Sequence, residues 1–283
     1  MQGAKTYLSI PIITGKSKMQ FLKDLRKSYY VFRSVTKGFG TSQALSIWRE
    51  NGLRKINLSF KDGTECSNVP LGAAWSLISY YYWSHKFQSY NIQDLKDLKE
   101  IGLSIYKRIE ETYDQWPKSG WGMQGTHGIL YAVMRKFKPE SILETGIANG
   151  FSATIILSAI KKNGKGVLTS IDVSDIFEYN GKRQKVGWLV PDDLVSSWET
   201  KIGKSSDILP KLGFELDAFY HDSEHSEQNM LFEFEWADKH LKSKGLLISD
   251  DIDLNDAWSN FMKNHRSYNQ IVKSVSTGVS QKE

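Results

Sequence analysis

The run Ser141-Ile142-Leu143-Glu144-Thr145-Gly146-Ile147-Ala148-Asn149-Gly150 constrains this chain more than any other stretch. Ser141 to Leu143 read as a buried strand, and Phe151 to Ile160 as a helix. A strand that stops at a glycine turn and restarts as a helix is the ligand-binding corner of an open α/β sheet. The spacing here is E-x-G-x-x-x-G. Thr145 stands where a dinucleotide site would carry its first glycine, and the lysine of a P-loop is missing. The glycines let a ligand lie against the backbone, but nothing is built for phosphate. On this stretch alone, a plain βα turn in another sheet protein competes.

The sequence after about residue 125 alternates short strands and helices, which predicts a parallel sheet. His127 to Phe137 leads in as a helix. Candidate strands follow at Gly166–Asp172, Thr200–Gly203, Asp217–Asp222 and Gly245–Asp251, with the last strands from Ile271-Val272 and Thr277–Glu283. Val173–Pro191 reads as an irregular loop, Asp192–Trp198 as a short helix, and Ser226 as the cap of a helix striped by Met230, Phe234, Ala237 and Leu241. Upstream, Lys16–Arg33 forms a candidate helix with a basic face. Ile56–Phe60 and a strand ending at Val69 form a hairpin. Ala73–Trp83 and Asn91–Tyr113 read as helices, the second striped by Leu95, Leu98, Ile105 and Ile109. The break at Trp116–Gly122 divides the chain into residues 1–124, a helical cap or oligomerisation region with a small hairpin, and a domain over 125–283. Residues 1–124 carry no recognisable chemistry; a lid, a substrate-contacting cap and an oligomer surface all remain open.

Composition excludes several classes. No apolar run approaches the roughly 20 residues that span a bilayer, and the N-terminus lacks a signal-like apolar core. One cysteine, Cys66, rules out an internal disulfide framework and a cysteine metal cluster. These features favour the cytoplasm. The net charge of +5 and pI of about 9.0 permit a polyanionic partner, but a solvated lysine surface explains them as well.

Carboxyl ends of parallel strands open into the ligand crevice. Here the candidate strands end in Glu144, Asp172, Asp222, and Asp250 with Asp251. A carboxylate in the position of Asp172 suits a ribose diol, because it can accept from two hydroxyls. Asp222, Asp250 and Asp251 form a hard-oxygen cluster suited to Mg²⁺ or Mn²⁺, with His225 beside it. The bland alternative makes Asp250 and Asp251 helix caps near Leu254 and His225 a surface turn residue.

Taken together, these motifs resemble class I S-adenosylmethionine (SAM) methyltransferases over residues of about 125 to 275. They resemble more narrowly the metal-dependent O-methyltransferases that include catechol O-methyltransferase and the macrolide-sugar enzymes of the macrocin and mycinamicin type. Glu144, Gly146 and Gly150 match the SAM motif. Gly203–Pro210 resembles the segment that reaches the adenine, Asp222-x-x-His225 the D-x-x-H of the sugar enzymes, and Asp250-Asp251 their acidic pair. The resemblance implies a Rossmann-like α/β sheet with helices on both faces and an antiparallel last strand, beneath a helical N-terminal part packed over the carboxyl edge. It implies SAM contacts from Glu144, Gly146, Gly150, Ser152, Asp172, Ser206 and Asp222, and a divalent ion, Mg²⁺ or Mn²⁺, on Asp222, Asp250 and Asp251. His225 would be the general base, its intrinsic pKa of about 6.5 suiting the task. The acceptor would be a small-molecule hydroxyl, on a saccharide or similar polyol, with no nucleic-acid partner. His221 should point to the other face of its strand and stays outside the catalytic set; His127 either borders SAM or substrate or is a helix-start residue. Three rivals remain. An NAD oxidoreductase lacks its G-x-G-x-x-G, and a nucleobase N-methyltransferase lacks the N/D-P-P-Y/F/W motif. A non-catalytic SAM- or metal-binding module is not excluded.

Overall fold

The computed structural model describes residues 55–113, 124–274 and 276–283. The candidate helix over 16–33 and the boundary stretch Trp116–Gly122 lie outside the described residues. β1 (Lys55–Ser59) and β2 (Glu65–Pro70) pair antiparallel around a turn in which Asp62 Oδ1 accepts the Thr64 N–H at 3.0 Å. α1 (Leu71–Lys86) follows. α2 (Ile92–Thr112) starts where the Asn91 side chain accepts the N–H groups of Gln93 and Asp94, so the cap satisfies donors the helix leaves open. The predicted stripe Leu95, Leu98, Ile105 and Ile109 is buried.

α3 (Gly125–Phe137), β3 (Ser141–Thr145), α4 (Phe151–Asn163) and β4 (Val167–Asp172) continue the chain. The segment expected to be irregular after Asp172 contains a hairpin, β5 (Ile176–Tyr179) and β6 (Lys182–Lys185). Its turn is Asn180-Gly181, both at positive φ (54° and 73°), the geometry that an Asn-Gly pair favours in two-residue hairpins. Asp192–Ser197 is a 3₁₀ helix. β7 (Trp198–Ile202), α5 (Ser205–Ile208), β8 (Leu216–His221), α6 (Glu227–His240), β9 (Leu241–Ser249), α7 (Ala257–Asn264), β10 (Tyr268–Lys273) and β11 (Gly278–Lys282) complete it.

The central sheet has seven strands in the order β10-β11-β9-β8-β3-β4-β7. β7, β4, β3, β8 and β9 run parallel to one another; β11 runs antiparallel to both β9 and β10. This is a Rossmann-like sheet, and the chain changes direction across it between β3 and β8, where such sheets place their crevice. Period-two alternation divides the strands between two cores. Ile142, Leu168, Ala218, Tyr220, Leu246 and Ile248 pack with α1 to α4, while Leu143, Ile171, Phe219 and Leu247 pack with α6 and α7.

The described N-terminal helices therefore lie against α3 and α4 rather than over the carboxyl edge. Their apolar stripes are covered by that helical layer, and Arg135 of α3 reaches Asp94 of α2 at 3.0 Å. Among the described residues no helix is long and apolar enough to cross a membrane.

Candidate active site

Backbone hydrogen bonds extend the parallel ladder past the strand ends. Gly146 N–H donates to Ile171 O (2.8 Å), Asp222 N–H to Thr145 O (2.9 Å), and Asp250 N–H to His221 O (3.0 Å). The ends of β4, β3, β8 and β9 are thus held side by side. Asp172, Gly146, Asp222 and Asp250 line one cavity of about 820 Å³, within the usual range for small-molecule sites.

Gly146, at φ +88°, lies where a Cβ would come 2.0 Å from the Asp222 carbonyl oxygen. The turn beyond it is organised by Asp172, whose Oδ2 accepts the N–H groups of Ile147 and Ala148, both at 2.9 Å. Asp172 Oδ1 accepts the Ser174 N–H at 3.1 Å. Three of the roughly four lone-pair sites of this carboxylate are therefore occupied by backbone, leaving room for one ribose hydroxyl where the sequence suggested two. Gly150 (φ +91°) is outside the cavity wall; a Cβ there would meet Gly187 Cα at 2.9 Å. The segment after the hairpin packs behind the turn at this point, with Gly187 N–H donating to Ala148 O and Leu189 N–H to Asn149 O. Arg108 of α2 in turn donates through Nη1 to the carbonyls of Trp188, Leu189 and Val190 at 3.1–3.4 Å.

Glu144 is fully buried and is not part of the cavity wall. Burial pushes its carboxyl up to about 7, with the Asp172 charge adding to the rise. The Ser152 and Ser170 hydroxyls oppose it, Ser170 donating at 2.6 Å. Glu144 therefore braces the floor beneath Ser152, which does line the cavity, as do Ser206 and Lys204.

The acids of β8 and β9 converge with His225. Its Nε2 is 3.8 Å from Asp222 Oδ1 and 4.0 Å from Asp251 Oδ2, and has no hydrogen-bond partner among the described residues. Burial, then the neighbouring His221, lowers the His225 pKa against the pull of Asp251 and Glu233. Asp222 is shifted the other way. Burial and the charges of Asp250 and Glu144 push it well above the usual carboxylate range, although Tyr220 OH donates to its Oδ2 at 3.1 Å. Asp251 takes a left-handed backbone (φ 48°), a conformation uncommon outside glycine. Neither acid caps the next helix: Ala257 N–H is taken by Asn255 Oδ1.

His221 points away from the cavity, as strand alternation requires, and its Nδ1 meets Glu233 Oε2 of α6 at 2.6 Å. The cavity also includes residues that no motif announced, Asn229, Ser223 and Gln124. In the sequence, the one sign of Asn229 is the helix cap at Ser226, which sets it three residues into the helix beside the loop. His127 stands at the start of α3 and faces the cavity. It closes the cap of α3, accepting the Gln124 N–H at Nδ1 (2.9 Å), and it lines the cavity. Burial pushes its pKa down to about 4.

Among the described residues no three His, Cys, Asp or Glu side chains are gathered to hold an ion as they stand, and Asp250 Oδ1 already accepts from Thr126 Oγ1 at 2.9 Å. The donor chemistry fits a hard cation all the same. Asp222 is disfavoured as an anion by its acidic neighbours, a cost that a cation among them removes.

Residues 143–252 match a family model described as a methyltransferase domain. Solved structures similar to this chain include an O-methyltransferase from Bacillus cereus in complex with SAH (14% identity, 66% of this chain and 91% of that one, TM-score 0.43). An SAH-bound methyltransferase from Podospora anserina is also similar (13%, 64% and 88%, 0.49). A third is the O-methyltransferase TomG of Streptomyces achromogenes, involved in tomaymycin synthesis, in complex with SAM (15%, 63% and 89%, 0.45). No curated protein matches the chain. The family match marks residues 143–252 as a methyltransferase domain and the chain as an enzyme of methyl transfer.

Proposed function

We propose that the chain is a SAM-dependent O-methyltransferase that uses a divalent cation and acts on a hydroxyl of a sugar or similar polyol. One arrangement carries this reading: His225 Nε2, without a hydrogen-bond partner among the described residues, between the carboxylates of Asp222 and Asp251, in the same cavity as the glycine turn. When bound, SAM supplies a methyl group on a sulfonium, and a cation on Asp222, Asp250 and Asp251 supplies positive charge that makes an acceptor hydroxyl more acidic.

The protein's own residues divide the remaining work. The turn at Gly146, held by Asp172, places backbone against the cofactor, while Ser152 and Ser206 offer hydroxyls to it. His225, held neutral by burial and His221, takes the acceptor proton at Nε2 as the C–S bond breaks and the O–C bond forms. The choice of a saccharide rests on the resemblance of Asp222-x-x-His225 to the sugar enzymes.

The test uses methyl-labelled SAM with a panel of free saccharides, nucleotide sugars, catechols and RNA, with Mg²⁺ or EDTA. The expected result is label on a saccharide hydroxyl, lost in EDTA and reduced roughly 10²–10⁴-fold in His225→Ala, the usual worth of a positioned base. Label on RNA alone, full transfer in EDTA, or unchanged turnover in His225→Ala overturns it.

A further inference from the structure

The structure also contains a buried carboxylate that the proposed chemistry does not use. Glu233 of α6 is 0% exposed, and four side-chain donors converge on it. Thr145 Oγ1 (2.6 Å) and His221 Nδ1 (2.6 Å) meet Oε2; Ser223 Oγ (2.9 Å) and Asn229 Nδ2 (3.2 Å) meet Oε1. A buried charge is costly unless it is fully hydrogen-bonded, and this one is. Burial alone would raise its pKa, but His221 and the other donors outweigh burial and keep it anionic.

The donors come from distinct parts of the site. Thr145 is the last residue of β3, next to Gly146. His221 ends β8, and Ser223 belongs to the loop that carries Asp222 and His225. Asn229 also donates to Glu224 O (2.9 Å) within that loop, and its Oδ1 lies 3.5 Å from Ser205 Oγ at the start of α5. We infer that Glu233 is a positioning residue: a buried anionic hub that fixes the Asp222–His225 loop against the glycine turn, so that the two halves of the cavity form one rigid unit. The inference rests on the proposed function only in calling one half the cofactor's.

An isosteric amide separates this role from general packing. Gln keeps the volume but has one oxygen, and its NH₂ must face either His221 Nδ1 with Thr145 or Asn229 Nδ2 with Ser223. Two donors then lose their acceptor. In Glu233→Gln, hydrogen exchange followed by mass spectrometry should accelerate about tenfold or more in peptides covering 145–148 and 221–229, and stay unchanged in β9 and β11. Calorimetry should show SAH binding weakened by a similar factor. Ser223→Ala, which removes one donor and leaves the charge, should loosen 221–229 alone and serves if Glu233→Gln does not fold. Exchange that rises evenly through the sheet, exchange that does not change, or unaltered SAH affinity with a loosened loop overturns the inference. If the unmodified protein binds no SAH, the cofactor assignment fails instead, and the exchange pattern still decides the role of Glu233.

Discussion

Gly146 lies so close to Asp222 that a Cβ on the glycine would come 2.0 Å from the Asp222 carbonyl oxygen and 2.6 Å from its carbonyl carbon. The same two strand ends are tied by the Asp222 N–H to Thr145 O hydrogen bond. The glycine therefore serves the joint between β3 and β8 as much as any ligand. Gly146→Ala adds a clash with backbone, which cannot swing aside, to the roughly 1–3 kcal/mol cost of a left-handed non-glycine residue. We expect a lowered melting temperature, seen by differential scanning fluorimetry, together with lost SAH binding. A variant as stable as the parent would show that the β8 end can retreat.

Asp172 gives a sharper test, because its carboxylate organises backbone on one side and faces the cavity on the other. Asp172→Asn preserves shape but leaves either the Ser174 N–H or both the Ile147 and Ala148 N–H groups facing an NH₂ in place of an oxygen. An unsatisfied donor costs about 1–3 kcal/mol. Asp172→Asn should therefore weaken SAH binding nearly as much as Asp172→Ala in calorimetry. Near-parental affinity in Asn would assign the residue to a single ligand contact instead.

Much of this architecture is legible in the sequence, for identifiable reasons. The β1–β2 hairpin, the stripe of α2 and the cap at Ser226 are local signals, and strand-end acids announce themselves wherever strands are short and apolar. The rest is long-range or hidden by role. Glu144 and Gly150 stand in the motif, and spacing cannot reveal that one lies beneath Ser152 and the other against Gly187. Glu233 sits inside a helix pattern as an ordinary acid. The β5–β6 hairpin has a local signal in Asn180-Gly181, but its strands are four residues each and β6, Lys-Arg-Gln-Lys, carries no apolar residue to alternate with.

Arg108 links the N-terminal helices to the site through the carbonyls of residues 188–190, which back the glycine turn. Arg108→Met keeps the apolar stem and removes the donors. A loss of about 1–3 kcal/mol is expected, hence a drop of several degrees in melting temperature for a domain of this size. SAH binding should weaken as well, although Arg108 is not part of the cavity wall. Unchanged SAH affinity would confine the contact to stability.

Glu144 makes stability depend on pH. Its folded pKa, about 7, lies above its ordinary value of 4.5, so the fold binds a proton that the unfolded chain releases. That contribution is complete below about pH 4.5 and is lost as pH rises through 7. Glu144→Gln removes the titration. Thermal melts should show the variant gaining on the parent between pH 5 and 8 by up to a few kcal/mol, since each tenfold difference in proton affinity is worth about 1.4 kcal/mol. An equal difference at every pH would mean that Glu144 is ionised in the fold.

The acidic cluster makes the last prediction. Asp222 is held well above the usual carboxylate range by burial and by Asp250, Glu144 and Asp251, so ionising the cluster is costly and a divalent cation would offset that cost. A ligand that binds only the folded state stabilises it by about 2.7 kcal/mol at one hundred times its Kd. After EDTA treatment and dialysis, millimolar MgCl₂ or MnCl₂ should raise the melting temperature by several degrees, and NaCl of matched ionic strength should not. Asp251→Asn and Asp222→Asn should remove most of the rise, because a hard cation binds poorly with fewer carboxylates. The parent protein melting at the same temperature with and without the divalent ions, at concentrations where the other controls behave, would remove the cation from the mechanism and leave His225 to act on the acceptor hydroxyl alone.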